Sequence, residues 1–219
     1  MSSEIKSINA GGVNCFLVKT DAGFILIDSG FSSKRALLEK ELASAGVIPG
    51  NLKLIILTHG DSDHSGNCAY LRDKYDTKIA MHYGDSGMVE HGDMTMNRKA
   101  KPDKFSLWFR IIGLLGKSGK YDTFKPDIYI KNEQSFSEYG FDAKVLHVPG
   151  HSKGSVGILT IDGDLFCGDL MFNIFKPGLH PYIDDLAAAK RSAEKLKKLD
   201  IKTVYPGHGK PFSINAYLK

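Results

Sequence analysis

Leu57-Thr58-His59-Gly60-Asp61-Ser62-Asp63-His64-Ser65-Gly66-Asn67 is the stretch on which the reading of this chain turns. Leu52 to Ile56 lie just before it, a short apolar run rich in β-branched residues that predicts a buried strand. The residues from His64 to Tyr75 predict a helix just after it. His59, Asp61, Asp63 and His64 are thereby packed into one strand-to-helix turn. Metal-capable side chains at that density point to a metal site before any other chemistry.

Three further metal-capable residues lie at the same kind of place, beside glycine and just past a predicted strand. His151 follows strand 143–148 in Val148-Pro149-Gly150-His151, and Asp169 follows strand 164–167 in Cys167-Gly168-Asp169. His208 follows strand 202–205 in Pro206-Gly207-His208. Glycine lets the backbone turn sharply, so that a ligand is presented at a strand end without a clash. A lone histidine is more often a hydrogen-bonded structural residue. Three such residues at equivalent positions, added to the dense turn, are hard to explain as core.

The first half of the chain alternates strand and helix. Strands are predicted over 14–19 and 23–28, then a helix from about Ser32 to Ala45 with Gly46 as its stop, strand 52–57, helix 64–75 and strand 78–81. Residues 82–126 break the rhythm and read as an insertion. They include Phe105-Ser106-Leu107-Trp108-Phe109-Arg110-Ile111-Ile112-Gly113-Leu114-Leu115, a run apolar nearly all the way round and so without an amphipathic face. This segment is expected to cover the active site and set the size and polarity of the substrate. A homodimer contact or a membrane-surface patch is the alternative, since exposed apolar runs usually mean association. Strand-like pieces at 127–131, 135–137, 143–148, 155–161 and 164–167 follow. A helix over 184–199 comes next, acidic at its start and lysine-rich at its end as the helix dipole prefers.

At 219 residues, with 42% hydrophobic and 25% charged residues, the chain suits one globular α/β domain over 1–219. Its net charge of +4 is spread over scattered lysines, without the dense basic block of a nucleic-acid arm. Cys15, Cys68 and Cys167 lie far apart and form no CxxC pair, which argues for a reducing compartment. No signal peptide and no membrane-spanning apolar run is apparent, so a soluble cytoplasmic protein is expected.

With these motifs in this order, the sequence resembles the metallo-β-lactamase superfamily of metallohydrolases from Asp28 to Pro211. Asp28-Ser29-Gly30 matches the family's first motif, where the Asp usually supports a ligand. His59, Asp61, Asp63 and His64 fall on the His-x-His-x-Asp-His motif, and His151, Asp169 and His208 on the last three. The resemblance implies a four-layer αβ/βα sandwich with two divalent metal ions at one edge of the two sheets. By it, one ion takes His59, Asp61 and His151, the other takes Asp63, His64 and His208, and Asp169 bridges them. The implied activity is hydrolysis of an ester, thioester or lactone of a small-molecule substrate by a metal-bound hydroxide, with Asp63 as the catalytic proton acceptor. Phosphodiester or β-lactam hydrolysis is an alternative within the same chemistry. The latter lacks an export signal, and a nuclease lacks a basic exosite. Glyoxalase-II-type thioesterases are the nearest familiar activity. The chain ends soon after His208, so the extra helical domain with which those enzymes hold glutathione is expected to be missing.

One position departs from the pattern. Asp61 stands where the family has its second histidine. A carboxylate in place of a neutral imidazole adds a negative charge and a hard oxygen donor, which moves preference from zinc towards iron or manganese. Superfamily diiron flavoproteins carry a Glu here. A diiron redox protein that reduces oxygen or nitric oxide is therefore the second reading, although no flavin-binding domain accompanies it. Loss of the first ion, leaving a mononuclear site, and a metal-stabilised binding protein without catalysis are the others. Of the remaining histidines, His180 is placed in a loop that could face the site and His82 could stand near Asp61, while His91 and His147 read as structural or exposed.

Overall fold

Successive residues of a strand point to opposite faces of its sheet, so a strand apolar at every position must be covered on both sides. The computed structural model of the chain, which describes residues 4–99, 101–105 and 122–218, has that arrangement. In β3 (Gly23–Ile27), Ile25 and Ile27 face one layer and Leu26 the other. In β4 (Leu52–Ile56), Leu54 and Ile56 likewise part from Ile55.

Two six-stranded sheets result. The first runs in the order β1 (Glu4–Asn9), β2 (Asn14–Thr20), β3, β4, β5 (Ile79–His82) and β7 (Ile128–Ile130). Its first three strands are antiparallel, and β3, β4, β5 and β7 are parallel. The second runs in the order β16 (Phe212–Ser213), β15 (Thr203–Pro206), β11 (Asp164–Gly168), β10 (Val156–Thr160), β9 (Phe141–His147) and β8 (Ser135–Phe136). Only its β11–β15 pairing is parallel.

The core lies in three layers between four. Phe16, Ile25, Ile27 and Ile56 of the first sheet pack on Phe136, Phe141, Val145 and Phe166 of the second. Leu38 and Leu42 of α1 (Arg35–Ser44) and Leu71 and Tyr75 of α3 (Cys68–Tyr75) cover the outer face of the first sheet. Ala189, Ala193 and Leu196 of α5 (Leu186–Leu196) cover the second. This is the expected four-layer sandwich, helix on sheet on sheet on helix. Among the described residues, no helix is long and apolar enough to cross a membrane.

The structure refines the predicted elements in three places. The helix expected over 64–75 is broken into α2 (Ser62–Ser65) and α3. At Gly66 between them, a Cβ would stand 2.7 Å from Ser32 N and 2.8 Å from Gly30 O, so the chain here is pressed against the loop after β3. The stretch read as an insertion opens with α4 (Tyr83–His91), which leads from β5 towards its parallel neighbour β7. Lys104–Phe105 forms β6, paired antiparallel with β14 (Tyr182–Ile183). The apolar run beyond Phe105, with Trp108 and Phe109, lies outside the described residues.

Candidate metal centre

The candidate ligands sit beyond the carboxyl ends of strands at one edge of the sandwich. His59, Asp61, Asp63 and His64 follow β4, His151 follows β9, Asp169 follows β11 and His208 follows β15. Seven residues far apart in sequence are thereby brought together. The ligand atoms of His59, Asp61 and His151 lie within 4.8 Å of one another, as do those of Asp63, His64 and His208. Asp169 stands between the two sets. Its Oδ1 is 3.4 Å from His64 Nε2, and its Oδ2 is 3.3 Å from His208 Nε2 and 4.0 Å from His151 Nε2.

The four histidines share one device. Each ties Nδ1 to an acceptor and turns Nε2 towards the cluster. His64 Nδ1 donates to Asp28 Oδ2 at 2.8 Å, His151 Nδ1 to the Tyr182 carbonyl at 2.9 Å and His208 Nδ1 to the Gly12 carbonyl at 2.8 Å. His59 Nδ1 donates to Thr58 Oγ1 at 3.0 Å, whose own hydrogen goes to Asp28 Oδ2 at 2.8 Å. A proton fixed on Nδ1 leaves the Nε2 lone pair for a metal, and such outer contacts set both tautomer and ring orientation. His59 Nε2, His64 Nε2 and Asp169 Oδ1 are buried and have no hydrogen-bond partner among the described residues. Buried polar atoms are rarely left so, and a cation among them is the group this donor set of imidazole nitrogens and carboxylate oxygens fits. The backbone leaves space for it. A Cβ on Gly207 would stand 2.7 Å from His64 Cε1 and also meet Asp169 Oδ1.

The charges answer one another. Burial opposes ionisation of Asp61, but Arg98, His151 and His59 outweigh it and hold its carboxyl well below the usual range. Burial likewise opposes ionisation of Asp169, and His208, His180 and His64 override it. His64 is itself raised well above an ordinary imidazole, because Asp169, Asp28 and Asp63 overcome its burial. His208 is raised to about 10, with Asp169 and Asp63 again outweighing burial.

Three residues beyond the seven shape the site, and one of them, Arg98, carries no sequence signal of its own. Asp85 of α4 is buried and accepts from Gly60 N at 3.2 Å, Ser152 Oγ at 2.5 Å and Gly154 N at 2.7 Å. It therefore clamps the loop of His59 to that of His151. Arg98 reaches Asp61 with Nη2 at 2.6 Å. His180, which the sequence left open, is buried with Nε2 3.4 Å from Asp169 Oδ2, and forms a further ligand-capable group with His151 and Asp169. His82 does not approach Asp61. It stacks on His147 at 4.3 Å and caps α4 by accepting from Gly84 N.

The family model of the metallo-beta-lactamase superfamily matches residues 8–208. The chain belongs to that superfamily. It is accordingly a superfamily hydrolase. It is 25% identical to the probable metallo-hydrolase YqjP of Bacillus subtilis over 93% of this chain and 69% of that protein. It is 27% identical to the hydroxyacylglutathione hydrolase GloC of Haemophilus influenzae over 78% of this chain and 73% of that protein. Among solved structures, the BLEG-1 B3 metallo-beta-lactamase superposes with a TM-score of 0.73 at 26% identity, covering 97% of this chain and 95% of that one.

Proposed function

We propose that this protein hydrolyses a thioester or ester of a small molecule with two divalent ions, which His59, Asp61 and His151 on one side, Asp63, His64 and His208 on the other, and Asp169 between them would hold. One observation carries the reading: Asp169 lies between two sets of ligand atoms, and the histidine Nε2 atoms in both sets are freed for coordination by Nδ1 contacts. Likeness to a hydroxyacylglutathione hydrolase supports a thioester over other acyl groups.

Ions held there would supply Lewis acidity and make a water at the site easier to ionise near neutral pH. The protein's own groups supply the rest. His59, His64, His151 and Asp169 are buried, and the three histidines are each tied through Nδ1, so they hold the ligand frame and keep bulk water from its floor. Asp63 is the most open of the seven, with its side chain 21% exposed, and Asp61 and His208 follow at 16% and 14%. Substrate therefore approaches across these three. Burial of Asp63 is outweighed by His64 and His208, which keep its carboxyl below the ordinary range and so ionised at neutral pH. It is in the state required to accept the proton of the attacking water. Three free, buried cysteines fit a cytoplasmic setting for this chemistry.

A panel of small thioesters and esters tests the reading. Turnover should vanish with a strong chelator and return on adding zinc or manganese. Turnover indifferent to chelation would refute it.

A further inference from the structure

Asp61 puts a negative carboxylate where a neutral imidazole would stand, and the fold sets a cation against it. Arg98, in the segment after α4, places Nη2 2.6 Å from Asp61 Oδ1, and its Nη1 donates to the His151 carbonyl at 3.1 Å. The guanidinium also lies over the Tyr182 ring, 5.1 Å from its centroid, and the Arg98 side chain is only 5% exposed. The two oxygens of Asp61 are divided between two tasks. Oδ1 faces Arg98, while Oδ2 lies 3.0 Å from His151 Nε2 and 3.5 Å from His59 Nε2. One arginine thus grips both the side chain of one candidate ligand and the backbone of another.

A buried ion pair adds little stability over an apolar pair of the same size, because desolvation offsets the attraction. Fold stability alone is therefore a weak reason for this pair. Its position beside the ligand set gives it a stronger one.

We infer that Arg98 and Asp61 act as one neutral ligand unit: Arg98 cancels the charge of the carboxylate and aims Oδ2 between His59 and His151. The first position then takes a divalent cation with the net charge of a three-histidine set. This rests on the two-ion reading above. It also removes the ground, drawn from Asp61 alone, for expecting iron or manganese. With the extra charge cancelled and one oxygen engaged by Arg98, the position suits zinc. Arg98 is in this sense a positioning residue, acting on the ion through Asp61.

The test is zinc content per chain after equilibration against buffered zinc, for the wild type, Asp61→His, Arg98→Met and the double variant. Thermal unfolding runs in parallel to show that each is folded. The wild type and the double variant should each hold about two zinc ions. Asp61→His alone should hold about one, because the guanidinium, now without its carboxylate, repels a cation at that position. Arg98→Met frees a fully charged carboxylate and should shift zinc–manganese competition roughly tenfold towards manganese. A merely structural pair would lower the unfolding midpoint in both single variants and leave zinc content and metal preference unmoved. Two tightly held zinc ions in Asp61→His, or an unchanged metal preference in Arg98→Met, would overturn the inference. A single zinc in all four proteins would instead overturn the two-ion reading on which it rests.

Discussion

Asp28 Oδ2 lies 2.8 Å from His64 Nδ1, with side chains 1% and 0% exposed. The same carboxylate accepts from Thr58 N at 2.9 Å and from Thr58 Oγ1 at 2.8 Å. It therefore joins the end of β3 to the end of β4 and orients two candidate ligands, His64 directly and His59 through Thr58 Oγ1. Replacing it with Asn keeps the shape and removes the charge. Asp28→Asn is expected to weaken zinc binding ten- to a hundred-fold, roughly what loss of an outer carboxylate costs. Competition with a chromophoric chelator measures this, and wild-type affinity in the variant would contradict it.

Asp85 carries a separate expectation. Its three bonds to Gly60 N, Ser152 Oγ and Gly154 N hold two ligand loops together from below. Asp85→Ala leaves those donors without their acceptor, and an unsatisfied buried group costs about 1–3 kcal/mol. Urea unfolding of the metal-free protein should show a loss of at least ~2 kcal/mol, the mechanism being stranded donors. Zinc affinity should fall with it. A change within about 0.5 kcal/mol, the usual size for an ordinary surface position, would show that the clamp is not needed.

Gly207 separates binding from folding. A Cβ there points at Asp169 and His64 rather than into the apolar core. Gly207→Ala should abolish metal binding, read by equilibrium dialysis, while the metal-free protein still folds with a loss of about 1–3 kcal/mol, the usual cost of overpacking. Full metal occupancy in this variant would mean that ions do not sit against Asp169.

Proton release gives a prediction without mutation. His208 is raised to about 10 in the metal-free fold, so its ring carries a proton on both nitrogens at pH 7, and Asp169, Asp28 and Asp63 raise His64 in the same direction against its burial. A ligand imidazole must be neutral, so zinc has to displace those protons. Calorimetry at pH 7 in buffers of different ionisation enthalpy should therefore report release of at least about one proton per chain. The contributions of these groups to stability depend on pH in opposite directions. For His208, the contribution to the metal-free fold is complete below about pH 6.5, its ordinary value, and is lost as pH rises through about 10. For Asp61 and Asp169, lowered in the fold, the contribution is present above about pH 3.9 and is lost as pH falls further. Zinc binding without proton release would show that these rings are already neutral.

The seven candidate ligands were readable in the sequence because each is a metal-capable side chain just past a short, mostly apolar run that marks a strand. The four-layer architecture came from the resemblance to the metallo-β-lactamase superfamily, with which the alternation of strands and helices in the first half agreed. Arg98 was not readable: it is one arginine in an irregular segment, and only the unmatched charge of Asp61 could have asked for it. Asp85 was missed with its helix, since Tyr83-Gly84-Asp85-Ser86-Gly87 carries two glycines and little helix propensity. The available signal was local, an N-cap at His82 with an acid in the first turn. β12 (Met171–Phe172) and β13 (Gly178–Leu179), which bring His180 back to the site, are too short for any periodicity to show.

The central claim is that Asp169 joins two ion positions into one centre. Elemental analysis of the protein and of Asp169→Asn, each purified without added metal, tests it most directly. The account predicts about two metal ions per chain in the wild type and fewer than about one in the variant. Wild-type protein without stoichiometric metal, or Asp169→Asn with an undiminished load, would contradict it.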